Sequence, residues 1–204
     1  MTLAEALEPL YRGYVRRLDE MVARLPAGTA LTERTTRMED GRFALGADGL
    51  PLRFDVADAR DGHTYEVHGA KPDAPLADEV RVAGLRVRLE PGNWEELPVA
   101  CVFEREPSAD DAEQLADLLR GFTVVAWYGG FAGAGTQDAA GRWTGRAHGL
   151  RVELRGTELR AVLDLGTCPP GAVEALCSAV AGYAEERGPL AHVRIGGRPE
   201  SGLI

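Results

Sequence analysis

The residue types that most often bind metals are sparse in this sequence and do not cluster. The four histidines are His63, His68, His148 and His192. His63 and His68 are five residues apart in a predicted strand, where side chains alternate between faces, so they should point to opposite sides. Neither has a carboxylate at a spacing typical of a zinc motif. We therefore predict no metal site, and we interpret each histidine as a structural or surface residue.

The candidate nucleophiles are three serines and three cysteines, and none lies in a catalytic motif. The G-x-S-x-G turn of hydrolases is absent. We interpret Ser108 as a helix cap, Ser178 as a helix residue and Ser201 as part of a tail. The cysteines form no C-x-x-C pair and no zinc spacing, so we expect reduced core thiols at Cys101, Cys168 and Cys177. We predict no catalytic residue, and the sequence favours a protein without enzymatic activity.

A glycine-rich segment at 129–141 offers the pattern closest to a phosphate loop. Its first glycines are Gly129, Gly130, Gly133 and Gly135. Phosphate loops work because a helix N-terminus follows and its free N–H groups face the anion. Here no convincing helical pattern follows, and no Lys-Ser or Lys-Thr pair comes after the glycines. We predict a flexible surface loop and no cofactor.

An aromatic and acidic group of residues is the best candidate for contact with another protein. Trp94 lies in a predicted turn beside Glu95 and Glu96, and Tyr128 and Phe131 flank the first glycine pair. Tryptophan and tyrosine are common anchors of protein interfaces. We predict that Trp94 is at least partly exposed and that the surface around it is acidic, from Glu90, Glu95 and Glu96. The competing interpretation is that Trp94 folds back and plugs the end of the sheet core.

The composition restricts the class of partner. The formal net charge is −9 and the sequence pI is about 5.0, which disfavours binding to nucleic acid phosphates. Long-range attraction would favour a basic protein. No apolar run approaches the length of a membrane span, about 20 residues. The first residues, Met1 to Glu5, lack the basic segment and apolar core of a signal peptide, so we expect a cytoplasmic protein.

Apolar periodicity predicts an N-terminal portion at 1–78 that begins with a long helix. Apolar residues recur every three or four positions over 3–25, and Thr2 with Glu5 forms a capping-box pattern. A hairpin is predicted at 42–56, with an Asp-Gly turn, and a short strand at 63–68. We expect the apolar stripe of the helix to pack on the protein's own sheet rather than on a second subunit or a foreign helix.

The remaining sequence resembles one unit written twice, at 79–131 and 142–204. Gly84 to Leu89 reads GLRVRL, and Gly149 to Leu154 reads GLRVEL. Each run begins a predicted strand-strand-helix-strand series. The first series is placed at 81–90, 97–104, 108–120 and 122–128, and the second at 148–155, 159–165, 170–187 and 190–196.

The two predicted series define a fold class. We expect an α+β fold in which tandem β-β-α-β repeats form a mainly antiparallel sheet with helices on one face, and the N-terminal helix and hairpin join the same compact domain. Similar element order occurs in ferredoxin-like and glyoxalase-like proteins, which is an analogy of order alone.

Three functional hypotheses follow from these patterns. We favour a non-catalytic protein-binding module, most concretely a bacterial immunity protein that neutralises a cognate, basic toxin. A secretion or folding chaperone belongs to the same class. The alternative class is a small-molecule enzyme or ligand binder that uses a cleft between the two repeats.

Lys71 is the only lysine of the chain, a bias typical of bacteria with GC-rich genomes.

Overall fold

The computed structural model describes residues 1–26, 31–32, 56–58, 63–127, 130–131, 149–188 and 190–197. These residues form an α+β structure, which confirms the predicted fold class. The helices are α1 (Leu3–Val22), α2 (Ala109–Trp127) and α3 (Pro170–Glu186). The strands are β1 (Leu31–Thr32), β2 (Val56–Asp58), β3 (Thr64–Tyr65), β4 (Glu79–Val82), β5 (Leu85–Leu89), β6 (Leu97–Phe103), β7 (Gly149–Arg155), β8 (Glu158–Asp164) and β9 (Leu190–Ile195).

Six of these strands form the main sheet, in the spatial order β4-β5-β9-β6-β8-β7. All neighbouring pairs are antiparallel except β5 and β9, which are parallel. Chain order β6-α2-β7-β8-α3-β9 with spatial order β9-β6-β8-β7 is the βαββαβ arrangement of ferredoxin-like folds. The β4-β5 hairpin extends this unit beyond β9. The short strands β1, β2 and β3 form a separate antiparallel sheet.

The helices pack on one face of the main sheet, where alternate strand residues are apolar and buried. On the central strand β6 these residues are Leu97, Val99, Cys101 and Phe103. α2 contacts β7, β8 and α3, while α3 contacts α1, and both α1 and α3 contact β4. One continuous core therefore includes residues from all three predicted portions of the chain.

The N-terminal helix forms as its sequence predicts. The Thr2 hydroxyl accepts a hydrogen bond from the Glu5 N–H at 3.1 Å, and the Glu5 carboxylate accepts one from the Thr2 N–H at 2.7 Å, so the capping box is confirmed. The buried stripe of α1 faces the protein's own core, mainly α3. The stripe therefore belongs to the fold and is not available to a second subunit.

The structure does not confirm the tandem repeat. The predicted strand 122–128 is wrong, because α2 continues through Phe122 to Trp127. The predicted strand 81–90 is also wrong in detail, because Ala83 and Gly84 adopt positive φ angles and turn the chain between β4 and β5. The two segments are interleaved rather than adjacent, since β9 of the second segment lies between β5 and β6 of the first. The predicted hairpin 42–56 lies outside the described residues except for Val56.

Candidate binding face

The prediction that Trp94 is exposed is wrong. Its side chain is 0% exposed and is among the largest fully buried side chains of the described residues. The indole packs edge-on against Tyr11 of α1, with ring centroids 5.8 Å apart. The turn between β5 and β6 therefore folds back under α1, and Trp94 plugs the end of the core, as the competing interpretation held.

The two glutamates beside Trp94 do not form the predicted acidic surface. Glu95 is buried, and its Oε1 accepts a hydrogen bond from the Ala70 N–H at 3.0 Å. Glu96 is half-buried, and its backbone N–H closes the turn on the Asn93 carbonyl at 3.3 Å. The carboxylate of Glu95 therefore holds the 63–73 segment to the turn, which is a structural role.

The other predicted contact residues are not brought to Trp94. Phe131 is half-buried and packs against Phe122 of α2, with ring centroids 5.2 Å apart. Tyr128 lies outside the described residues. The loop interpretation of 129–141 likewise falls almost entirely outside them. The group proposed from the sequence is thus not a single surface in the part of the chain that the structure describes.

The face of the main sheet opposite the helices is the strongest candidate surface, and we call it the open face. Its strand positions alternate with the buried ones. The charged and ionisable members are Glu79, Arg81, Arg86, Arg88, Arg151, Glu153, Arg155, Glu158, Arg160, Asp164, His192 and Arg194. The strand positions hold seven arginines and four carboxylates, and Glu90, directly after β5, adds a fifth carboxylate 4.0 Å from Arg194. This face is therefore basic although the chain as a whole is acidic.

The centre of the open face is apolar. Pro98, Ala100 and Val102 project from β6, and Val162 projects from β8 opposite Pro98. Pro98 and Val102 are half-buried, while Ala100 and Val162 are nearly covered by their neighbours. An apolar centre with an arginine-rich charged rim is the usual anatomy of a protein–protein interface. We call these four residues the apolar strip.

Two carboxylates of the open face are each shared by two arginines. Glu158 Oε2 accepts hydrogen bonds from Arg160 at 2.7 Å and from Arg194 at 3.4 Å. The Arg194–Glu158 contact crosses β6 diagonally, since Arg194 is opposite Ala100 and Glu158 is opposite Val102. On the other side, Glu79 lies 3.9 Å from the Nε atoms of both Arg86 and Arg88. Arg194 also lies 4.0 Å from Oε1 of Glu90, directly after β5.

The shifted pKa values on this face report its positive potential. Burial alone would raise the pKa of Glu158, but the hydrogen bond from Arg160 and the charge of Arg194 hold it below its usual value. Burial lowers the pKa of His192, and the charges of Arg88, Arg86 and Arg194 lower it further. Glu158 is therefore an anion and His192 a neutral base at pH 7, so arginine supplies the positive charge.

The sequence contains a signal for the open face in the alternation of charged and apolar residues along its strands, although no motif marks it. In Leu85 to Leu89 and again in Leu150 to Arg155, charged residues alternate with apolar ones, the pattern of strands with one polar side. The signal does not say which strands are neighbours. Only the order β5-β9-β6-β8 places Arg88, Arg194 and Arg160 together.

No protein-family model, curated protein or solved structure significantly matches the chain. A ferredoxin-like arrangement carries no function by itself.

The helical side of the molecule carries the opposite charge. α2 holds Asp110, Asp111, Glu113 and Asp117 against the single Arg120, and α3 holds three glutamates and no basic residue. Ser108 caps α2, since its hydroxyl accepts the Asp111 N–H at 3.1 Å, which confirms the predicted cap. Charge on the described residues is therefore separated between an acidic helical layer and a basic open face.

A groove of about 680 Å³ runs beside α1 and is lined by Tyr11, Arg12, Val15, Arg16, Asp73 and Thr167 among others. Arg12 is engaged by Glu8 at 3.0 Å, one helical turn away.

Within the described ranges, no group of three or more His, Cys, Asp or Glu residues is placed to hold a metal ion. None of the described helices combines the length and apolar character that a bilayer span requires.

The three cysteines are buried and free, as the sequence predicts. Burial raises the pKa of Cys101 and of Cys168 to about 12, and it also raises the pKa of Cys177. Because the thiolate is the reactive form, we expect no cysteine alkylation in the native protein at mildly alkaline pH. Mass spectrometry should detect three alkyl groups once the protein is unfolded in guanidinium chloride. A cysteine that reacts in the native protein as fast as free cysteine would contradict this assignment.

Proposed function

We propose that this protein is a non-catalytic protein-binding module and that the open face is its binding surface. The observation that supports the proposal is the apolar strip, flanked by arginines, on a sheet face that none of the described helices covers. Glu158 and His192, whose pKa values are lowered, lie on the same face. Ionisable groups with shifted pKa values are common at functional sites.

The most concrete form of the proposal is a bacterial immunity protein that acts in the cytoplasm and neutralises a cognate toxin. The small size, the net charge of −9 and a sequence without a catalytic motif support this form. A basic toxin would be attracted by the acidic helical layer at long range. Contact through the open face would instead select a partner whose contacting side chains are acidic or apolar.

The binding proposal is tested by Val102→Gln, which places a longer polar side chain in the apolar strip without changing the charge. The matched control is Val124→Gln on α2, where the valine is 52% exposed on the helical side. With a partner captured from the source organism, we expect Val102→Gln to weaken binding about tenfold or more, the cost of about 1.4 kcal/mol. Val124→Gln should bind as the wild type does, and titration calorimetry measures both.

The outcomes separate the parts of the proposal. Equal affinity for both variants, at unchanged melting temperature, would exclude the open face as the surface. If the captured partner is toxic when expressed alone, the wild-type protein should restore growth and Val102→Gln should restore less. A partner that is not toxic would exclude the immunity form and leave the binding module. Loss of affinity with Asp117→Asn instead would favour docking of a basic partner on the helical layer.

A further inference from the structure

The arginines of the open face include two pairs that the sheet forces together. The register places Arg81 directly opposite Arg86 and Arg88 directly beside Arg194. Like charges at directly opposed positions of a sheet are destabilising. Adjacent strands are separated by about 4.8 Å, and Glu79 is the carboxylate shared by Arg86 and Arg88. Glu90, directly after β5, lies 4.0 Å from the Nε of Arg194. The β4-β5-β9 half of the face therefore sets four arginines (Arg81, Arg86, Arg88 and Arg194) against two carboxylates, Glu79 and Glu90.

We propose that this half of the open face, which we call the arginine cluster (Arg86, Arg88 and Arg194), binds the aspartate or glutamate side chains of an acidic segment of the protein partner. This inference rests on the proposed function, because it names the chemistry of the partner at the same face. Guanidinium groups bind carboxylates through paired hydrogen bonds. A partner carboxylate would relieve the repulsion between Arg88 and Arg194.

An acidic peptide fits this surface better than a nucleic acid does. The described residues of the open face include no tryptophan, tyrosine or phenylalanine on which bases could stack. The apolar strip borders the arginine cluster, since Ala100 of β6 is directly opposite Arg194. A segment that alternates acidic and apolar side chains matches both features.

The electrostatic surroundings of His192 agree with this assignment. This side chain projects from β9 onto the same face, two residues before Arg194, and lies opposite Val102 of β6. Burial is the main cause of its lowered pKa; the charges of Arg88, Arg86 and Arg194 lower the pKa further, and Glu158 opposes them. The arginines near His192 thus create an excess of positive charge that the Glu158 carboxylate does not cancel. The Arg86 side chain also donates to the Ala191 carbonyl at 3.4 Å, which helps hold its guanidinium beside β9.

The test uses the full chain and an oligoglutamate peptide that contains interspersed leucines, with affinity measured by titration calorimetry at low and high salt. The variant is Arg88→Gln combined with Arg194→Gln. The matched control is Arg120→Gln on α2, an arginine that pairs with Glu113 at 2.8 Å outside the open face. We expect the double variant to bind the peptide about tenfold more weakly and with a smaller dependence on salt. The control should bind as the wild type does.

Three results would overturn the inference. The first is equal peptide affinity for the double variant and the wild type. The second is tighter binding of a single-stranded DNA oligonucleotide than of the peptide, which would assign the cluster to phosphates. The third is an unchanged affinity of the double variant for the captured partner when Val102→Gln has lost it. This last result would leave the proposed function intact. A Val102→Gln variant that binds the captured partner as tightly as the wild type does would contradict the proposed function, but it would not affect the peptide measurement.

Discussion

Replacement of Trp94 by alanine should lower the free energy of unfolding by about 3–5 kcal/mol, the usual cost of truncating a buried tryptophan. The indole is completely buried and its edge contacts Tyr11, so its removal leaves a cavity between α1 and the β5–β6 turn. For a domain of this size the melting temperature should fall by roughly 6–20 °C. Urea unfolding followed by circular dichroism measures the free energy directly.

Two control variants make the Trp94 experiment specific. Trp94→Phe keeps a ring against Tyr11 and should lose less stability than the alanine variant. Val124→Ala removes an exposed side chain and should change the free energy of unfolding by no more than about 0.5 kcal/mol. An alanine variant at position 94 that melts like the wild type but binds the partner poorly would contradict the structural role and restore Trp94 as an interface anchor.

Trp94 illustrates which features of this fold the sequence could not predict. The turn at 91–96 is polar around a single tryptophan, and nothing local indicates whether the indole faces solvent or core. Its burial depends on α1, which begins about 90 residues earlier in the chain. Glu95 is buried for the same reason, since its partner Ala70 belongs to the segment that packs along α1. Contacts between distant segments decide both positions.

The misassigned end of α2 has a different cause. The run Phe122 to Trp127 is rich in valine and follows Gly121, which favours a strand by local propensity. The buried positions nevertheless continue at helical spacing, through Leu115, Leu119, Phe122 and Ala126, while Val124 and Val125 are exposed. The helical period extends past the glycine, and packing on β7 and β8 overrides the propensity.

Elements with strong internal signals were predicted correctly. α1 has a complete capping box, and α3 begins at Pro170 with Pro169 at its N-cap, and proline suits the first helical position. β6, β8 and β9 are apolar runs bounded by turns, close to their predicted limits. What the sequence did not provide is the order of the strands. Because the basic character of the open face depends on that order, the sequence led to an acidic surface around Trp94 and missed the arginines.

Replacement of Gly196 by alanine should cost about 3–5 kcal/mol of stability, through a positive backbone angle together with overpacking against the backbone of a neighbouring segment. Gly196 has φ +93°, and an added Cβ would overlap the carbonyl oxygen of Glu90. The backbone cannot withdraw easily, because the Gly196 N–H donates to Pro98 at 2.8 Å and the Glu90 N–H donates to Ile195 at 2.8 Å.

The matched control for Gly196 is Gly84→Ala in the β4–β5 turn. Gly84 has a similar φ of +84°, but an added Cβ would meet no atom within 4 Å. The control should therefore lose only about 1–2 kcal/mol of stability, the cost of placing an alanine in the left-handed conformation. Urea unfolding of both variants separates conformational strain from the contact with Glu90. Equal losses would show that the end of β9 can move away from Glu90. A larger loss for Gly196→Ala would show that this contact fixes the end of the strand two residues after Arg194, and with it one side of the arginine cluster.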